Sequence, residues 1–148
     1  MGRIKKYKEV FIIVLVLLVG VFFLGRMYHN NVKALTDFST SYERFDSAIS
    51  NVPIDTVSDL NRKAEEALAR LIAQSSVRIS SLIKNDRELM SAEREIADVS
   101  GKELASLKAY TVAIQNNSAD LSERSKEYAD LIGKRKAAYA HFQELAAY

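Results

Sequence analysis

The spacing of apolar and polar positions divides the chain near residue 26. Val10 to Gly25 is a run of sixteen residues, VFIIVLVLLVGVFFLG, with no charge and no strongly hydrogen-bonding side chain. As a helix it spans about 24 Å at ~1.5 Å per residue, short of a ~30 Å hydrocarbon core. Tyr7 upstream and Met27 and Tyr28 downstream lengthen it, and Lys8 and Arg26 can snorkel to the interface. The pattern predicts a transmembrane helix whose lipid-facing anchor is Val10, Phe11, Ile12, Ile13, Leu15, Leu17, Leu18, Phe22, Phe23 and Leu24.

Beyond Gly25 the apolar residues thin out into stripes. Tyr28, Val32, Leu35, Phe38, Tyr42, Phe45, Ile49 and Val52 follow one another at steps of three and four, which is one face of a helix. The transmembrane helix is therefore expected to continue unbroken to about Asn51. Val52-Pro53 ends it, because proline excludes the α region for the residue before it. Asp55 or Thr56 can cap the next helix. A second stripe, Leu68, Ile72, Ser75, Ile79, Leu82, Asp86, Leu89, Glu93 and Ile96, alternates four and three like a heptad. Leu104, Leu107, Thr111 and Ile114 form a third stripe. Leu121, Tyr128, Ile132, Tyr139 and Phe142 form a fourth. Leu35, Phe38, Tyr42, Phe45, Leu68, Ile72, Ile79 and Leu82 are the expected helix-packing residues.

Two partitions fit these stripes. Helix 1 leaves the membrane for about 26 residues, roughly 39 Å, so a helix running back beside it meets the bilayer near residue 84. A turn at Asn85-Asp86 then gives helices over 26–51, 57–84, 86–115 and 119–147, with Ser118 as N-cap of the last. The competing partition runs helix 2 from 57 to 98 and turns at 99–101, where Ser100 and Glu103 match a capping box. The near-equal lengths favour four helices. The expected class is all-α: a single N-terminal transmembrane helix continuing into an antiparallel helical bundle or coiled coil outside the cytoplasm. The domains are a basic tail (1–9), a signal-anchor helix (10–25) and an extracytoplasmic bundle (26–148).

Charge adds orientation. Arg3, Lys5, Lys6 and Lys8 precede the apolar run, whereas only Arg26 and Lys33 follow it before Asp37. The positive-inside rule places the N-terminus in the cytoplasm and the rest beyond the cell (inner) membrane. Over the whole chain Lys plus Arg is 21 and Asp plus Glu is 19, a net charge of +2. The excess sits in the tail, so nothing points to nucleic acid. A cleaved signal peptide is the rival reading. Val32-Lys33-Ala34 has small residues at the right places, and the mature chain would be a secreted helical protein beginning near Leu35.

Composition narrows the chemistry. There is no Cys, hence no disulfide, thiolate metal site or catalytic thiol. The 148 residues include one Pro and five isolated Gly, against a turn-rich β fold or a phosphate-binding glycine loop. Of the two His, His29 sits at the membrane exit. His141 and Glu144 are spaced i, i+3, the reverse of a di-iron Glu-x-x-His motif and present once. Asp86 and Glu93 interrupt an apolar stripe. Either they mark a polar site between helices, or Ile83 and Met90 are the true core positions and both acids face water, Asp86 being a cap if it stands at a turn; the second reading is favoured. Lys134-Arg135-Lys136 reads as a solvated face. No cofactor, metal or enzyme activity is expected.

The layout resembles that of chemoreceptor ligand-binding bundles, bitopic division proteins and phage inner-membrane spanins, and no motif residue ties it to any of them. Long three-four stripes bury apolar surface only against other helices. The expected function is a membrane-anchored interaction or scaffold protein, a structural or accessory subunit of an envelope or membrane assembly. Its partners are the lipid bilayer and proteins docking on helical faces, a second copy included. A four-helix bundle sensing a small ligand is the alternative from another class.

Overall fold

The computed structural model describes residues 2–50, 57–77, 79 and 86–147. Among them are four helices and no strand: α1 (Gly2–Ser50), α2 (Val57–Ser75), α3 (Asp86–Gln115) and α4 (Leu121–Ala146). The segment Val52-Pro53-Ile54-Asp55-Thr56 and residues Leu82, Ile83 and Asn85 lie outside the described residues.

α1 is one helix of 49 residues, about 74 Å long. No break separates its apolar first half from its amphipathic second half, as the continuous stripe predicts. It is long and apolar enough to cross a membrane: its most apolar window has a mean hydropathy of 2.5 and none of that window is buried. Phe11, Ile12, Ile13, Leu15, Leu17, Leu18, Phe22, Phe23 and Leu24 all stand exposed. The side chain of Val10 lies outside the described residues.

From Asn31 onward α1 turns residues inward. Phe38, Tyr42, Phe45 and Ile49, at steps of four, three and four, are buried in a core completed by Ala64, Ala67 and Leu71 of α2, Leu89, Ile96, Leu104 and Leu107 of α3, and Phe142 of α4. The aromatic rings of α1 thus share the core with small alanines on α2, a large-to-small match that lets two helices approach closely. Leu35 and Leu68 are half-buried against this core, and Ile79 is buried.

Three expectations need correction. Ile72 is 47% exposed, and Leu71 beside it is fully buried. From residue 62 onward the buried positions of α2 are Ala64, Ala67, Leu71 and Ser75, the spacing of a straight helix. A strict heptad drifts ~20° per repeat off such a helix. Second, α2 stops at Ser75 and does not reach residue 84. The hydroxyls of Ser75 and Ser76 both donate to the carbonyl of Ile72, at 2.8 and 3.1 Å. Amides of Ser76 and Val77 close tighter turns on Ala73 and Gln74. Such serine back-bonding competes with the next helical turn. Third, Ser100 and Glu103 start no helix: α3 runs through both, and both are buried. Asp86 and Glu88 occupy the first turn of α3, where the helix dipole favours acids.

The α3–α4 turn is built on Asn117, which has φ 48°. The Ser118 amide donates to the Ala113 carbonyl (2.9 Å) and the Asn117 amide to that of Ile114 (3.1 Å), the paired bonds of a Schellman helix end. The Ser118 hydroxyl does not cap α4. It donates to the Asp120 carboxylate, which also accepts from Arg124 at 2.6 Å. These bonds, from Ser118 first, hold the Asp120 carboxyl below its ordinary value. We expect Asn117→Gly to be neutral or stabilising in urea denaturation and Asn117→Val to destabilise by about 1–2 kcal/mol, since a β-branched residue resists positive φ.

Helix pairing is legible from side chains. Phe38 meets Phe142 (ring centroids 5.0 Å), and Tyr42 stacks on Tyr139 (3.6 Å, planes 11° apart). Asp46 meets Arg135. Numbers fall along α4 as they rise along α1, so the two run in opposite directions. Tyr110 against Tyr128, together with Glu103 against Arg135, sets the same relation between α3 and α4. The Lys108–Glu65 ion pair ties α3 to α2. The C-terminal end of α4 thereby comes back to the level of Leu35, next to the apolar half of α1.

Candidate functional site

The least expected feature of the core is a charge. On α4 the residues Tyr128, Ile132, Arg135, Tyr139 and Phe142 recur at steps of four and three, so Arg135 stands where the stripe calls for an apolar residue. The structure buries it to 1% exposure, while Lys134 and Lys136 beside it remain exposed. The reading of Lys134-Arg135-Lys136 as a solvated face is thus corrected at its middle residue. The same logic applies to α3. Leu89, Glu93, Ile96, Ser100, Glu103 and Leu107 form its innermost seam, and all are buried.

Arg135 and Glu103 meet across the α3–α4 interface. Nε of Arg135 donates to Oε2 of Glu103, and Nη2 reaches Oε1 at 3.4 Å. Nη2 also donates to Oδ1 of Asp46 at 2.7 Å, and Nη1 donates to the Tyr42 hydroxyl at 2.9 Å. The guanidinium carbon lies 5.2 Å from the centre of the Tyr42 ring and 5.6 Å from that of Phe45, a cation–π range. One side chain from α4 thus engages two residues of α3 and α1 by charge and two rings of α1 by their faces.

The electrostatics are self-consistent. Burial works against the charge on Arg135, but the bonds from Glu103 and Asp46 outweigh it, and the guanidinium is held more firmly protonated than usual. Burial pushes the Glu103 carboxyl up, against the pull of Arg135. Burial also raises Tyr42, so its hydroxyl stays neutral and able to accept from Arg135. Asp46 is 39% exposed and completes the network at its wet edge.

This constellation holds no nucleophile–base pair. Its chemistry is positional. A guanidinium offers donors in a rigid planar fork. Sliding α4 by one turn, ~5.4 Å, would break every one of these bonds at once. The network therefore fixes one register among α1, α3 and α4.

Glu93 is a second buried carboxyl. It is 1% exposed, whereas Met90 is half-buried, so the solvent-facing reading of Glu93 is corrected. Oε2 of Glu93 and the hydroxyls of Ser100 and Ser106 have no hydrogen-bond partner among the described residues. Asp86 stands half-buried at the start of α3. His141 is 60% exposed, with Nδ1 3.9 Å from Glu144, and His29 is exposed. Among the described residues no three potential ligands come close enough to hold a metal ion.

Sequence reasoning missed Arg135 and Glu103. The signal was present as gaps: a stripe with its central member replaced by a charge on α4, and an acid at the same seam on α3. No protein family, curated protein or solved structure matches the chain.

Proposed function

We propose that this protein is a membrane-anchored helical interaction or scaffold protein, a structural or accessory subunit of an envelope or membrane assembly. The observation that carries the reading is the continuity of α1. One helix supplies both an exposed apolar span and the core residues Phe38, Tyr42, Phe45 and Ile49. Residues 26–148 form, on this reading, an antiparallel four-helix bundle rigidly coupled to its anchor, with the basic tail in the cytoplasm and the bundle beyond the inner membrane.

One feature supports a scaffold over a receptor for small molecules: the centre of the core is occupied by aromatic rings and the Arg135 network. The clefts lie at the surface, one of about 190 Å³ between α1 and α2 and one of about 420 Å³ lined by Lys108, Val112, Asn116 and Arg124. Apolar residues left outside the core and outside the span, Ile72 at 47% and Val112 at 52% exposure, are candidate docking positions.

A photo-crosslinking residue placed at Ile72 or Val112 of the full chain in native membranes is expected to give discrete higher-mass adducts. The same probe at Lys102, 63% exposed and paired with Asp98 of its own helix, is expected to give none. Equal labelling at all three positions, or none anywhere, overturns the reading.

A further inference from the structure

The α3 seam buries two glutamates and provides for only one. Glu103 is met by Arg135. Glu93, ten residues earlier on the same face and about 15 Å away, lies between the fully buried Leu89 and Ile96. Its Oε2 has no hydrogen-bond partner among the described residues. Continuing the pairings of α3 with α4 and of α4 with α1 puts Glu93 at the level of Leu145 and Leu35, both half-buried on the core. That is the end of the core next to the apolar half of α1. The Arg135 network lies further along, near its middle.

The charges around Glu93 do not replace an Arg135. Arg94 on α3 favours the ionised form but is itself exposed. At the same level, Lys33 on α1 and His141 and Glu144 on α4 are exposed, and Asp37 on α1 is half-buried. Asp86, Arg87 and Glu88 lie at the start of α3, and the described part of α2 after Arg70 carries no charge. Arg78 and Lys84 lie outside the described residues. Among the described residues, an ionised carboxylate in this place loses its hydration and gains no buried cation, whereas a neutral carboxyl loses far less.

We propose that Glu93 is a pH-responsive latch: the end of the core next to the apolar span is closed while Glu93 is neutral, and ionisation of Glu93 opens that end while the Arg135 network keeps the middle closed. Burial, opposed by Arg94, raises the Glu93 carboxyl from 4.5 to about 7. An acid raised in the closed state contributes its full stabilisation below about 4.5 and loses it as pH rises through about 7. Between those limits the opening constant grows by up to about tenfold per pH unit, and above them it levels off. Opening uncovers Leu89 and Ile96, apolar groups that another helix can cover.

The test is hydrogen exchange on the full chain in lipid nanodiscs at about pH 5 and about pH 8, with rates corrected by an unfolded peptide reference. Protection of the amides of residues 89–97 should fall by up to about 100-fold between the two, following the tenfold-per-unit slope, while residues 103–111 keep theirs. Glu93→Gln should remove the difference. Glu93→Leu, which cannot ionise, should do the same if the amide variant folds poorly. The Glu93 carboxyl resonance of the unmodified chain gives a readout independent of any variant and should titrate near 7. Titration near the ordinary 4.5, as a cation supplied by Arg78 or Lys84 would produce, overturns the proposal. So does an equal pH response in the Gln or Leu variant, or a loss of protection spread evenly over α3.

Discussion

Arg135→Met should destabilise the helical core by about 3–5 kcal/mol, read as a shift in the urea midpoint of the full chain in mild detergent. The loss is not the value of the ion pair. It is the consequence of leaving Glu103, which is fully buried, without its cation. The partner change separates the two effects. Replacing both residues by apolar ones, Arg135→Met with Glu103→Leu, should return most of the lost stability, because no unpaired charge then remains inside. Arg135→Lys should fall in between. An ammonium keeps the charge but cannot reach Glu103, Asp46 and the Tyr42 hydroxyl together with one planar fork. Asp46→Asn should matter little, since Asp46 is partly exposed and its attraction is screened by water. A double variant no better than the single one would show that the network is held for something other than pairing.

Phe45→Ala should cost about 3–5 kcal/mol in the same measurement, and Phe38→Ala a similar amount, as removing a fully buried ring leaves a cavity that helices close only in part. Both rings have no exposed surface. Phe38 also loses its contact with Phe142, and Phe45 loses its position over the Arg135 guanidinium. Ile72→Ala should change stability by less than about 0.5 kcal/mol, because that side chain stands outside the core. An unchanged midpoint in both phenylalanine variants would contradict the core described above.

Much of the architecture was written in local pattern. The period of three and four from Tyr28 to Ile49 predicts a helix that leaves the apolar span without a hinge, and α1 is such a helix. Asp86 at the start of α3 and the position of the Asn116-Asn117-Ser118 turn before α4 depend on near neighbours, so they are legible without the fold, although Ser118 bonds Asp120 and does not cap α4 as expected. The end of α2 was not, because a heptad stripe through Ser75, Ile79 and Leu82 promises further helix while Ser75 and Ser76 turn back on Ile72. The candidate site was the hardest to read. Charged residues on helices usually face water, so the place Arg135 takes in the stripe of Tyr128, Ile132, Tyr139 and Phe142 reads, from one helix alone, as an interruption and not as a buried charge.

The sequence by itself determined the class of the fold, the apolar span and the inward face of α1, and it favoured four helices over three. Each of these depends on spacing within one helix or on one turn. Only the tertiary structure decided that Leu71 and not Ile72 is buried, that Glu103 and Arg135 meet, and that Oε2 of Glu93 has no hydrogen-bond partner among the described residues. Burial at those positions depends on the rotation and register of one helix against another. A polar side chain is admitted to that interior only where a second helix brings its partner, and no single stripe records which partner will arrive.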